Sequence, residues 1–378
     1  MAGPKFRADH VGSLLRPAAV RQARAQAGAV QLTSRGYQAS PALQAAEQQA
    51  LGEVVAMQEA LGLPCVTDGE LRRSFWHLDF LGALDGIELI ERDSDQGVQF
   101  SGVRMRPVHP QIVAELDFPD DHPMLEHFRA LAAITHVTPK ISIPGPSACH
   151  FRTAEADIRH GDYRDVETLF AAITRVYNKA VHQFYAAGCR YLQMDDIFFA
   201  YLCDEQQRAA KRAEGYDPDW LITQYAKMMH DAIADRPHDM TVAMHLCRGN
   251  FQSTWVAEGG YDPAADVVFN QTGVDVFYME YDTARAGSLE PLRLLPRGNQ
   301  RVMPGFVTTK FAALETVDEL LRLFDEAQTY VPIEQLGIAP QCGFASTEEG
   351  NKINPEEQSR KLERVVEVAQ RIWGGVAA

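Results

Sequence analysis

Eight short β-rich runs recur along the chain, near 8–13, 64–68, 138–144, 190–195, 240–246, 275–280, 301–306 and 337–341. Longer stretches with apolar residues at helical spacing separate most of them. In 164–187 the face is marked by Leu169, Ile173, Val176, Ala180 and Phe184. Helices are also predicted over 42–61, 216–234, 315–329 and 355–373. The last two place acids early and bases later, as the helix dipole favours. Strands alternating with helices predict an α/β chain folded as a (β/α)8 TIM barrel. One such barrel fits 378 residues, so a single domain over 1–378 is expected. Two segments break the rhythm. Residues 85–135 alternate in short runs (IELIER, VQFSGVRMR, IVAELDF) and read as a β-rich, hairpin-like insertion after the second run. Residues 17–40 read as an irregular excursion.

Charge and composition narrow the partners. Acidic residues outnumber basic ones by 51 to 36, which argues against nucleic acid, since phosphate binding wants a basic footprint. The same balance disfavours an anionic membrane surface. No apolar run approaches the roughly 20 residues a membrane span needs. Met1 to Asp9 has no apolar signal-peptide core, so a cytoplasmic protein is expected. The six scattered cysteines read as thiols rather than a disulfide framework. Pairing into a homo-oligomer stays open, because no surface stripe decides it.

A barrel builds its active site at the C-terminal ends of its strands. Those ends here read Val11-Gly12-Ser13, Thr67-Asp68-Gly69-Glu70, Gln193-Met194-Asp195-Asp196, His245-Leu246-Cys247, Glu280 and Gln341-Cys342-Gly343. In a strand, residues i and i+2 share a side, so His245 and Cys247 can reach one metal ion. Cys342 adds a thiolate and Glu280 a carboxylate. Imidazole, thiolates and carboxylate together suit tetrahedral Zn2+. Such a site would hold a substrate thiol as thiolate near neutral pH. Cys65, Cys149, Cys189 and Cys203 read as core residues. Glu70 and Asp195 are the better carboxylate candidates, while Asp68 reads equally well as a helix cap.

The stretches VGSLLRP, TDGELRRSFW, LQMDD, HLCRGN, FYMEYD and PQCGFASTEEGN carry a resemblance. From about Phe6 to Trp373 the chain resembles the catalytic barrel of cobalamin-independent methionine synthase and its short single-barrel relatives. The resemblance implies methyl transfer to the thiolate of homocysteine on zinc. It implies His245, Cys247, Glu280 and Cys342 as metal ligands. It also implies Val11 and Ser13 near the substrate carboxylate, and Glu70 and Asp195 as the catalytic pair that grips the amino group. One departure bears on the methyl donor. The two-barrel enzyme delivers a proton from a histidine after its seventh strand. Here that loop reads Phe306-Val307-Thr308-Thr309-Lys310. Lys310, His150 and His10 are the candidate substitutes. A folate, a methylated corrinoid protein or a sulfonium each fit as donor, and a sulfonium needs no acid. Two rival readings keep the metal: alkyl transfer to another small thiol, as in epoxyalkane:coenzyme M transferases, or a non-catalytic zinc- or thiol-binding protein.

Overall fold

The computed structural model describes residues 3–27, 32–33, 36–37, 39–92, 100, 103 and 105–377. Its strands are β1 (Leu32–Thr33), β2 (Gly36–Tyr37), β3 (Cys65–Val66), β4 (Asp85–Glu91), β5 (Val108–Asp117) and β6 (Thr138–Pro139). They continue with β7 (Ile141–Pro144), β8 (Tyr191–Asp195), β9 (Thr241–Leu246), β10 (Val276–Glu280), β11 (Arg301–Val307) and β12 (Ala339–Pro340). Strands β7 to β12 form one parallel sheet in sequential order. Strand β3 pairs in parallel with β6, one residue before β7 begins.

The sheet curls. Val11, Cys65, Tyr191, Ala243, Val276, Tyr278, Met303 and Ala339 come from seven of the eight predicted runs, yet pack as one buried cluster. A flat sheet would hold its outer strands apart. This is the interior layer of a rolled α/β sheet.

The ladder is less regular than the sequence suggests. Six runs pair continuously, and the second pairs only through β3. The first makes isolated bridges, Phe6 to Ala377 and Ala8 to Ile338. Side chains take its carbonyls instead. Gln193 Nε2 donates to Val11 O at 2.7 Å, Thr67 Oγ1 to Gly12 O at 2.6 Å, and Lys140 Nζ to His10 O. Gly12 also sits at φ +132°, which is off the β region.

The predicted helices form at Pro41–Ala60, Val166–Ala186, Pro218–Ile233, Val317–Ala327 and Pro355–Trp373. Local chemistry sets their starts. Asp165 and Asp217 accept backbone N–H groups, and Thr316 and Asn354 make reciprocal capping boxes with Glu319 and Glu357. Among the described residues, no helix is long and apolar enough to cross a membrane.

Two irregular segments need correction. In 17–40 the chain forms a helix, Ala18–Ala27, rather than an excursion. Residues 28–31, 34, 35 and 38 lie outside the described residues. In 85–135 an antiparallel pair does form, between β4 and β5. Its end is helical, however, at Pro123–Ala132. His122 caps that helix, and Met124, Leu125, Phe128 and Leu131 bury one face. Most of VQFSGVRMR lies outside the described residues.

A charged layer lies inside the rolled sheet. Asp9 Oδ1 accepts from Lys140 Nζ at 2.7 Å, and neither side chain is exposed. Cys65 Sγ donates to the same oxygen at 2.8 Å, while the Tyr191 and Tyr278 hydroxyls donate to Oδ2. Burial works against the Asp9 charge, but Lys140, His10 and the Cys65 hydrogen bond together outweigh it and hold the carboxyl below its usual range.

Candidate metal and substrate site

Register brings the first pair of functional groups together. Asp195 ends β8 directly opposite His245 on β9. Asp195 Oδ1 stands 3.3 Å from His245 Nδ1 and accepts from Gln193 Nε2 at 2.7 Å. His245 Nε2 is buried without a hydrogen-bond partner. A carboxylate that orients one ring nitrogen and leaves the other free is how proteins prepare a metal-binding histidine.

Cys247 follows one residue after β9, and Cys342 follows two after β12. The ligand atoms of His245, Cys247 and Cys342 all lie within 4.8 Å of one another, and all three residues are buried. Their proton affinities diverge. Burial opposes the Cys342 thiolate, but the adjacent Cys247 thiol and His245 ring hold its pKa well below the usual thiol range. Cys247 is pushed well above that range, first by its hydrogen bond to Cys342 and then by burial. Burial opposes charge on His245, yet Asp195 and Cys342 raise its pKa to about 10. One thiolate and an orphaned imidazole nitrogen suit a thiophilic cation.

Glu280 stands apart from this group. Its Oε1 is paired with Arg285 Nη2 at 2.5 Å. Its Oε2 accepts from Arg248 N at 3.1 Å and Gln341 Nε2 at 3.2 Å. It is near enough for its charge to raise the Cys247 pKa.

The cluster lies in a pocket that Val11, Ser13, Glu70 and Asp195 also line. Glu70 has φ +56°, an uncommon conformation for a non-glycine residue, and Asp68 Oδ1 accepts its backbone N–H. Asp68 thus supports the turn that aims Glu70, and the residues after it form no helix cap. Glu70 Oε1 accepts from Ser142 Oγ at 2.8 Å. Burial first, with Asp195 and Asp68 adding to it, pushes its pKa up to about 7 against Arg73 and Arg16. Ser13 is fixed by the chain after Cys342: Phe344 N donates to Ser13 O, and Ala345 N to Ser13 Oγ.

A side chain at Gly343 would collide with Ser13 Oγ. Gly343→Ala is therefore expected to displace this turn and cost about 1–3 kcal/mol, as overpacking does. A denaturant midpoint unchanged from the parent would contradict that.

Several residues gain their role only from the fold. The buried Arg16 donates to the carbonyls of Leu14, Ala345, Glu70 and Arg73, at 2.7–3.2 Å. It staples three strand-end loops together. Arg73 is also fully buried and donates to Ser142 O. Nothing in a lone arginine signals this. Arg72 stays at the surface with Gln48. Trp76, His77 and Tyr201 line the pocket, whereas Phe80 packs against Phe118 and His122. Asp196 accepts from Ser147 Oγ, and burial pushes its pKa up to about 7. Phe198 stacks on Phe151, and Phe199 meets Tyr225.

Of the three candidate acids, only Lys310 lies near enough for its charge to lower the Cys342 pKa. His150 bonds Tyr225 and Tyr216, and burial lowers its pKa to about 3. His10 is buried in the sheet interior, with its pKa also lowered to about 3 by burial. Lys310 Nζ donates to Gly249 O and Asn250 Oδ1. None of the three lines the pocket.

Residues 6–371 match the family model described as cobalamin-independent synthase, catalytic domain. The chain belongs to this family. Among relatives of the synthase domain, the uncharacterized Bacillus subtilis protein YxjG is 44% identical, over 98% of this chain and 95% of its own length. A Listeria monocytogenes structure, provisionally assigned as a vitamin-B12-independent methionine synthase, is 33% identical. It has a TM-score of 0.75, and the match covers 99% of both chains. A Coxiella burnetii 5-methyltetrahydropteroyltriglutamate–homocysteine methyltransferase is 25% identical over 86% of this chain. That match covers 37% of the longer relative.

Proposed function

We propose that the chain is one zinc-dependent catalytic unit that moves a methyl group onto the sulfur of homocysteine, giving methionine. The observation that carries this reading is the close grouping of His245, Cys247 and Cys342 inside a pocket also lined by Glu70, Asp195 and Ser13. The family membership and the named Coxiella relative point the same way.

His245, Cys247 and Cys342 would hold the zinc. A bound zinc ion supplies Lewis acidity that keeps a thiol deprotonated at neutral pH. Glu280 would join them as a fourth ligand only by leaving Arg285 and moving toward the cluster. Glu70 and Asp195 receive the substrate ammonium, and the Ser13 turn receives its carboxylate. Held at both ends, the amino acid presents sulfur to a donor carbon. A sulfur–carbon bond forms while the bond from methyl to the donor breaks. The donor leaves with that electron pair. Methyl-folate, a corrinoid protein and a sulfonium all satisfy this balance, the first taking up a proton as it leaves.

Glu70 gives the reading a pH signature. Below its pKa of about 7 the group is protonated and a poor partner for an ammonium. Homocysteine affinity is therefore expected to rise as pH climbs through about 7. Glu70→Gln should flatten that rise and weaken binding roughly tenfold at higher pH, the scale of one charge-assisted hydrogen bond. Calorimetric titrations at several pH values check this; an unchanged slope in the variant would contradict it.

Incubating the metal-loaded protein with L-homocysteine and each donor class, and measuring methionine by mass, tests the reaction. Methionine from at least one donor is the expected result. Homocysteine binding with no product from any donor would favour a binding protein instead.

A further inference from the structure

Arg152 follows the short helix Ser147–Phe151, after β7, and lines the same pocket. Its guanidinium lies 5.2 Å from the Phe198 ring centre and 6.0 Å from that of Tyr201. Its Nε is buried without a hydrogen-bond partner, and the neutral Tyr201 hydroxyl is the polar group beside its guanidinium. Among the described residues, no carboxylate stands within ion-pairing distance of it. Arg16 and Arg73 share the unpartnered Nε, so what separates Arg152 from them is the missing counter-charge. Arg16 gives its terminal nitrogens to four carbonyls, and Arg73 donates to Ser142 O and ion-pairs with Glu70. A partly buried cation without a counter-charge is costly unless a ligand completes it.

We infer that Arg152 is the anchor for an oxyanion, carboxylate or sulfonate, carried by a substrate. This rests on the pocket being a substrate site, and it deepens the reading above. The guanidinium fork matches such a group with two parallel N–H donors. Topology favours the second substrate as its bearer. Ser13 is held by the chain after β12, whereas Arg152 lies after β7 and packs on Phe198 and Tyr201 of the segment after β8. Trp76, His77 and Tyr201, flat side chains suited to a planar molecule, share the pocket with Arg152. A donor whose net charge is positive would meet repulsion there.

The test is calorimetric binding to the zinc-loaded protein, comparing the parent, Arg152→Gln and Arg152→Lys. The probes are L-homocysteine and its carboxamide, methyl-tetrahydrofolate and its dimethyl ester, and 2-mercaptoethanesulfonate. In the parent, at least one anionic probe should bind about tenfold or more tightly than its neutral counterpart. Arg152→Gln should abolish that preference and Arg152→Lys should restore part of it. Loss confined to the folate pair assigns the oxyanion to the donor. Loss confined to the homocysteine pair assigns it to the thiol. Arg152-dependent binding of the sulfonate thiol, with no binding of homocysteine, keeps the anchor and removes homocysteine as substrate. If Arg152→Gln changes no affinity by more than twofold, or lowers acid and neutral probes equally, the arginine serves packing on Phe198 and Tyr201 and the inference falls.

Discussion

Replacing Cys342 by serine (Cys342→Ser) is expected to strip the metal and the activity together. Cys342 is the thiolate of the cluster, because Cys247 and His245 both favour its charged form. A hydroxyl cannot take that part, since it stays protonated and is a harder ligand. Zinc held in a protein site contributes about 10–16 kcal/mol. Losing one ligand therefore costs on the order of 3 kcal/mol, roughly a hundredfold in affinity. Cys247→Ser should behave alike, whereas Cys149→Ser, in the hydrophobic core, should leave metal content unchanged. Metal analysis after dialysis and methyl-transfer rates check both. A Cys247→Ser, Cys342→Ser double variant that retained full activity without metal would end the metal reading.

The largest expected loss of stability lies beneath the site. Lys140→Met should cost about 3–5 kcal/mol, because it leaves Asp9 charged and buried without its cation. Tyr191, Tyr278 and Cys65 would still donate to Asp9, but none brings a positive charge. Removing the acid as well, in Asp9→Asn with Lys140→Met, should recover part of the loss. Urea unfolding measures it, and a Lys140→Met cost under about 1 kcal/mol would show that the pair is not a strong structural element.

The grouping of His245, Cys247 and Cys342 is legible in the sequence because its chemistry is local. His-x-Cys at a strand end puts two ligands on one side, and PQCG brings the third. The strand rhythm likewise needs only period and composition. What escaped the sequence depends on partners far along the chain. Arg16, Arg73 and Arg152 look alike as letters. One staples carbonyls, one neutralises Glu70, and one stands in the pocket without a carboxylate. The first run reads as a strand, but Gly12 and the side chains of Thr67, Lys140 and Gln193 divert its backbone from a ladder. The helix Ala18–Ala27 was missed because its Ala, Arg and Gln residues show little apolar stripe. The Glu280 position was legible, but not that Arg285 engages its carboxylate.

The central claim is that His245, Cys247 and Cys342 hold a zinc ion open to a substrate thiol. Metal content of the purified protein, followed by X-ray absorption at the zinc edge with and without L-homocysteine, tests it most directly. The account predicts about one zinc per chain, with one more sulfur neighbour once homocysteine is added. No zinc, or a zinc shell unchanged by homocysteine, would contradict it.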